Sequence, residues 1–128
     1  EAESITAKRL EIWDHYHQAF EALEASGRLR RPVVPNNYGH NAHMYYILLR
    51  SLGDRTAFIS SMKENGVNCV FHYSPLHSSS FYSAPGPTRN NLTVTSKFSE
   101  KLVRLPLFIG LQDHQSKVLG SISSFLKK

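Results

Sequence analysis

The chain is short of sulfur and of acid: among 128 residues it has one cysteine, two methionines and 10 carboxylates against 15 lysines and arginines. The lone Cys69 excludes an internal disulfide framework and suits a reducing cytosol. No apolar run approaches the roughly 18 residues that a membrane helix needs. The opening Glu1-Ala2-Glu3-Ser4 has neither the basic nor the apolar region of a signal peptide. A cytoplasmic protein with no membrane partner is therefore expected. The chain also lacks an initiator Met, so residue 1 is not expected to be where the gene begins. Gly-rich phosphate loops of the Walker and dinucleotide kinds are missing too, which leaves nucleoside triphosphate and NAD chemistry without support.

What is present is one domain's worth of chain, 41% apolar and 20% charged, a composition neither membrane-like nor disordered. The net charge of +5 raises the question of a polyanionic partner. Most cations are scattered, however, and the densest group, Arg28-Leu29-Arg30-Arg31, follows a predicted helix end. It is read as a solvated helix C-terminus favoured by the helix dipole, and nucleic acid is not expected as a partner. Asn91-Leu92-Thr93 is formally a glycosylation sequon without a secretory context to use it.

Periodicity orders the elements. Ile5, Ile12, Trp13, Tyr16, Phe20 and Leu23 give a helix from Ser4 to about Ser26 one buried stripe, stopped by Gly27. Residues 42–49 are apolar on both faces and read as a central strand. Asp54 is expected to cap a helix that runs to Asn65 and ends at Gly66, with Phe58, Ile59 and Met62 inward. Val67, Cys69, Phe71 and Tyr73 alternate as a strand stopped by Pro75, and residues 78–91 read as a long mobile loop. A short helix from Ser96 to Val103 should bury Phe98 and Leu102. Leu105 to Ile109 follows as a strand whose Pro106 argues for an edge or a strand start. Asp113 then caps a last helix with the stripe Val118, Leu119, Ile122, Phe125 and Leu126. The fold class is α+β, in two layers: a small, mostly antiparallel sheet covered by helices on one side, the other face and the first helix being left for a partner.

Seven histidines invite a metal, with His40 and His43 three apart and His72 and His77 five apart. Neither stretch has an Asp or Glu nearby to support ligands, so no metal site is read. His15 and His17, two apart on a helix, lie on different faces and are taken as partly solvated. Cys69 and His72 point to opposite sides of their strand, which disfavours a Cys-His pair. Ser60-Ser61-Met62-Lys63 has a Ser-x-x-Lys spacing on a helix surface and is read as surface. His72, Tyr73 and His77 stand at a strand end and loop start, where sites are commonly built. They have two readings: a binding site, or a wet Tyr73 capping the core beside imidazoles bonded to carbonyls.

Three segments carry a resemblance. Asn41-Ala42-His43-Met44-Tyr45-Tyr46, Val70-Phe71-His72-Tyr73-Ser74-Pro75-Leu76-His77 and Arg104-Leu105-Pro106-Leu107-Phe108, with the helices before the last two, resemble the C-terminal domain of DegT-type sugar-nucleotide aminotransferases. The likeness runs from Ile5 to Leu126. It implies the small domain of a fold type I pyridoxal-phosphate (PLP) enzyme, with residues 1–128 as that one domain and the large cofactor-binding domain absent. It further implies a homodimer that moves an amino group from glutamate to dTDP-4-keto-6-deoxyglucose, giving dTDP-4-amino-4,6-dideoxygalactose for surface polysaccharide. The Schiff-base lysine belongs to the N-terminal domain, and none of the seven lysines here has the family's Ser-x-His-Lys setting. No catalytic or cofactor-binding residue is carried over, and this chain alone is expected neither to hold PLP nor to transaminate. By position His72 matches a histidine lining the substrate pocket, and the same role extends to Tyr73, His77 and, on what is read as the neighbouring strand, His43. The alternatives are a free-standing sugar-nucleotide-binding module that has lost catalysis, or a basic nucleic-acid-binding α+β domain.

Overall fold

The structure, a computed structural model, describes residues 1–79 and 92–127. Along the chain come helices α1 (Ala2–Ala19) and α2 (Glu21–Ala25), strand β1 (Tyr45–Leu48), helix α3 (Leu52–Glu64) and strand β2 (Val70–Phe71). A 3-10 turn (Leu76–Ser78), α4 (Thr93–Lys101), β3 (Leu102–Leu105), a second 3-10 turn (Leu111–Asp113) and α5 (Gln115–Leu126) complete it. The α+β expectation and the element order hold. Most of the loop expected at residues 78–91, and the sequon's Asn91, lie outside the described residues.

The sheet is antiparallel with order β1-β3-β2. This reverses two sequence expectations: β1 is an edge and β3 is the centre. Residues 42–49 look central because both faces of β1 are covered. Tyr45 and Ile47 are fully buried, while Tyr46 and Leu48 are half-buried on the other face. The outer edge of β1 is met by Arg30, whose backbone exchanges two hydrogen bonds with Leu48 at 2.9 and 3.0 Å. Pro106 ends the central strand where an edge strand was expected to begin. Having no N–H it cannot continue a ladder, and its carbonyl accepts the Tyr16 hydroxyl at 3.0 Å.

The predicted first helix is broken at Phe20, where α1 gives way to α2. Gly27, at φ +70°, stops α2: Arg28 N–H bonds Leu23 O and Gly27 N–H bonds Glu24 O, both at 2.9 Å. This is a Schellman motif, which needs a left-handed residue at that place. Gly66, at φ +73°, closes α3 in the same way, with Val67 N–H on Met62 O at 2.8 Å. Two caps differ from expectation. Ser51 caps α3, its hydroxyl accepting from Asp54 N–H at 3.1 Å, so Asp54 sits in the first turn. At α5 the cap position is His114, with no side-chain cap bond, and Asp113 belongs to the preceding turn.

One face of the sheet, Tyr45, Ile47, Val103 and Leu105, joins Ile12, Tyr16, Phe20, Phe58, Met62 and Ile122 in a single cluster from three helices. Gln115 is buried with it and ties α5 to α1, donating to Ile12 O at 2.8 Å and meeting His15 Nδ1 at 2.9 Å. The opposite face is half-covered. Phe98 and Leu102, expected to be buried by one helix, are divided: Phe98 stays 42% exposed on α4 and Leu102 begins β3. Because α5 closes the core with one stripe, Ile122→Ala should remove about 2–5 kcal/mol of stability. Urea unfolding checks this, and a loss below about 1 kcal/mol would mean that α5 does not seal the core.

Candidate functional site

The register of β2 on β3, Val70 opposite Arg104 and Phe71 opposite Val103, sends the chain out of the sheet at the end where β3 begins. There it forms His72-Tyr73-Ser74-Pro75 and the 3-10 turn, which Ser78 closes with both its N–H and its hydroxyl on Pro75 O, at 3.0 and 2.8 Å. The His72 and Tyr73 rings lie against each other with centroids 4.0 Å apart. His72 is half-buried, and its Nδ1 is buried with no hydrogen-bond partner among the described residues. Tyr73 is 65% exposed. His77 Nε2 meets the Ser96 hydroxyl at 3.1 Å and so ties the turn to α4.

Arg55 supports this corner from α3. Its guanidinium carbon stands 5.1 Å from the Phe71 ring centroid, and its Nη1 donates to Ser99 O at 2.7 Å. No local pattern marks Arg55 in the sequence, because its acceptor lies 44 residues away.

His43 lies elsewhere. Strand β3 separates β1 from β2, so His43 is not on the strand next to His72. Tyr45 pairs with Leu105, which puts His43 at the opposite end of the sheet from His72. There Arg9 donates to its carbonyl at 3.0 Å, and both side chains line a cavity with Arg104 and Asn68. The structure thus groups His72, Tyr73 and His77 and leaves His43 out.

His17 and His40 are absorbed by an aromatic cluster that sequence reasoning missed. His17 stacks on Trp13 at 4.6 Å with its Nδ1 3.3 Å from the Tyr45 hydroxyl, and His40 packs on the same indole. Trp13 and His17, four apart on α1, could have been paired from sequence. No group of three potential metal ligands occurs among the described residues. The basic run is also not a merely solvated helix end: Arg31 pairs with Glu24 at 2.6 Å and donates to His17 O at 2.6 Å, while Leu29 is buried. Burial, and then the Arg31 charge, lower the pKa of His17, against the opposing pull of Glu24, Asp14 and Glu21. Burial alone pushes the Cys69 thiol up to about 12, which removes it as a nucleophile near neutral pH.

With the fold and this corner in place, comparison with known proteins is informative. The model of the DegT/DnrJ/EryC1/StrS aminotransferase family matches residues 1–123. The chain belongs to this family. Protein MJ1066 of Methanocaldococcus jannaschii is 28% identical over 116 residues, covering 88% of this chain and 29% of that protein. The aminotransferase TlmJ of Streptoalloteichus hindustanus is 26% identical, with a TM-score of 0.82 over 98% of this chain and 32% of its own. Spr1654 of Streptococcus pneumoniae, solved in PLP and PMP forms, shares the fold at 22% identity and a TM-score of 0.84, again over 98% and 32%. The chain therefore spans about a third of the length of these relatives. No helix among the described residues is long and apolar enough to cross a membrane.

The family implies PLP, and the described residues do not fit it. A Schiff base needs an enclosed lysine and the pyridinium nitrogen needs an acid. Lys8, Lys63, Lys97, Lys117 and Lys127 are exposed, and half-buried Lys101 lines a cleft without a carboxylate.

Two measurements check the local chemistry. The fold lowers the pKa of His17, so between the folded and unfolded values the unfolded chain binds more protons than the folded chain. Stability should fall as pH drops below the ordinary value of 6.5, and His17→Gln should flatten that slope. An unchanged slope would place His17 outside the titrating set. Cys69 should react with a disulfide reagent only after urea unfolds the chain; rapid labelling of the folded protein would contradict its burial.

Proposed function

We propose that this chain is the C-terminal small domain of a PLP-dependent sugar-nucleotide aminotransferase. In this reading the larger N-terminal domain of the same polypeptide holds the cofactor and its lysine. The full enzyme is a cytoplasmic homodimer that transfers an amino group from glutamate to a dTDP-4-keto-6-deoxy sugar, with dTDP-4-amino-4,6-dideoxygalactose as product. The small domain's part is to close one side of the substrate mouth with His72, Tyr73 and His77.

The observation that carries the reading is His72: a half-buried imidazole at a strand end, in a family of sugar aminotransferases, with a buried ring nitrogen that nothing described in the chain satisfies. A buried polar atom without a partner is costly, by about 1–3 kcal/mol, and a ligand hydroxyl or phosphate oxygen would relieve that cost. Tyr73 beside it has a free phenol edge, and the two offer hydrogen bonds without the expense of burying a full charge. His77, fixed to Ser96, sets where the turn stands relative to α4.

In the full-length enzyme, His72→Ala should lower kcat/KM for the nucleotide sugar by about tenfold to a hundredfold, the loss of one or two good hydrogen bonds. The PLP absorption band should be unchanged. Loss of the band, or full activity, would remove His72 from the mouth.

A further inference from the structure

The His72 corner has two halves. His72 and Tyr73 follow directly from β2, whereas His77 lies in the 3-10 turn against α4. One side chain reaches both. Arg55, half-buried near the start of α3, holds its guanidinium carbon 5.1 Å from the centroid of Phe71, the residue before His72. Its Nη1 donates to Ser99 O at 2.7 Å. From there hydrogen bonds continue along one side of α4: the Ser99 hydroxyl donates to Ser96 O at 2.8 Å, and the Ser96 hydroxyl meets His77 Nε2 at 3.1 Å. Nothing in its own helix favours an arginine here. A cation near a helix N-terminus is opposed by the helix dipole, Arg55 makes no ion pair among the described residues, and its Nε is buried without a hydrogen-bond partner. Leucine or methionine would fill the space without that unpaired nitrogen.

We propose that Arg55 is the positioning residue of the corner, holding its His72 and His77 halves at one spacing; the effect on turnover rests on the reading of that corner as a substrate mouth. A planar guanidinium can lie against a ring and donate in its own plane at the same time, which an ammonium on a flexible stem cannot. The carbonyl it meets is one of the last four of α4, which a helix leaves without an internal partner. The chain passes from there straight into β3 at Leu102, so this contact also fixes where α4 stops. Arg55 thus joins α3, the end of β2 and the end of α4, and Ser99 and Ser96 extend its hold to the turn. Rings held at both ends need not be ordered when a ligand arrives, so loosening them costs affinity rather than chemistry.

The first arm of the test follows the imidazole ring signals of the 128-residue chain by NMR. Arg55→Lys keeps the charge and loses the fork, and should shift the His72 and His77 signals together. Ser96→Ala cuts only the far end of the string and should shift His77 while leaving His72 in place. Lys63→Met, at an exposed position on the same helix, should move neither. If Arg55→Lys does not fold, the unaltered chain decides: the buried Arg55 Nε–H should exchange with solvent at least about tenfold more slowly than that of exposed Arg50. The second arm is kinetic. In the full-length enzyme Arg55→Lys should raise KM for dTDP-4-keto-6-deoxyglucose about threefold to tenfold and change kcat less than about twofold. Ring signals that Arg55→Lys leaves in place, or an Arg55 Nε–H as fast as that of Arg50, would overturn the proposal. So would an unchanged KM beside a His72→Ala enzyme that has lost activity. Full activity in both enzymes would instead remove the mouth reading and with it the effect on KM, while the ring signals still decide whether Arg55 holds the corner.

Discussion

The structure depends on one four-residue strand, Leu102–Leu105, being paired on both sides: all four residues face β1, and Val103 and Arg104 also face β2. β3 is the strand that β1 and β2 share, and neither outer strand pairs with the other. Its alternation then fixes both faces at once. Val103 and Leu105 are buried in the core, while Leu102 and Arg104 stay half-buried on the other face. A slip of one residue would exchange these sets and put a guanidinium into an aromatic cluster. The register is held from outside the ladder as well: Pro106 ends it, and the Tyr16 hydroxyl on the Pro106 carbonyl binds that end to α1. Burial holds the Tyr16 phenol far above its ordinary pKa, so this donor keeps its proton.

From that strand the placement of the candidate corner follows. Antiparallel pairing sends the end of β2 and the start of β3 to the same end of the sheet, so the His72 corner and the N-terminal approach of β3 through α4 are neighbours. Helix α4 then has two different sides, one held to the turn by Ser96 and one presenting Lys97 and Lys101. The far end collects Arg9, His43 and Arg104 instead. Carboxylates are sparse near all three places; Glu24, the best-engaged acid, is spent on Arg31. The excess positive charge of the sequence is thus partly gathered around a groove lined by Arg30, Arg50, Lys97 and Lys101, while Lys63, Lys117 and others remain scattered on exposed helix positions.

The helices were legible because each carries a one-sided apolar stripe and a stop that physics makes specific: Gly27 and Gly66 supply the left-handed residue that a Schellman end requires. Strand order was not, since a strand half-covered by Arg30 and α4 has the same apolar pattern as one flanked by strands. Pro106 was informative about where pairing stops and silent about which side of it the strand lies. The corner residues His72, Tyr73 and His77 could be named from their place at a strand end. Their support by Arg55, the removal of His43 to the other end, and the Trp13 cluster depend on contacts across dozens of residues, which periodicity does not encode.

Family membership and the buried chemistry of this chain point in one direction. The only thiol is protonated and enclosed, the described lysines other than half-buried Lys101 are exposed, and the two carboxylate pairs among the described residues are structural or solvent-exposed. Beside them stand a sheet end carrying hydrogen-bonding rings and a cationic groove with an apolar floor. The chain spans about a third of its relatives' length, and within that third the hydrogen-bonding rings and the cations stand at different places, divided by helix α4.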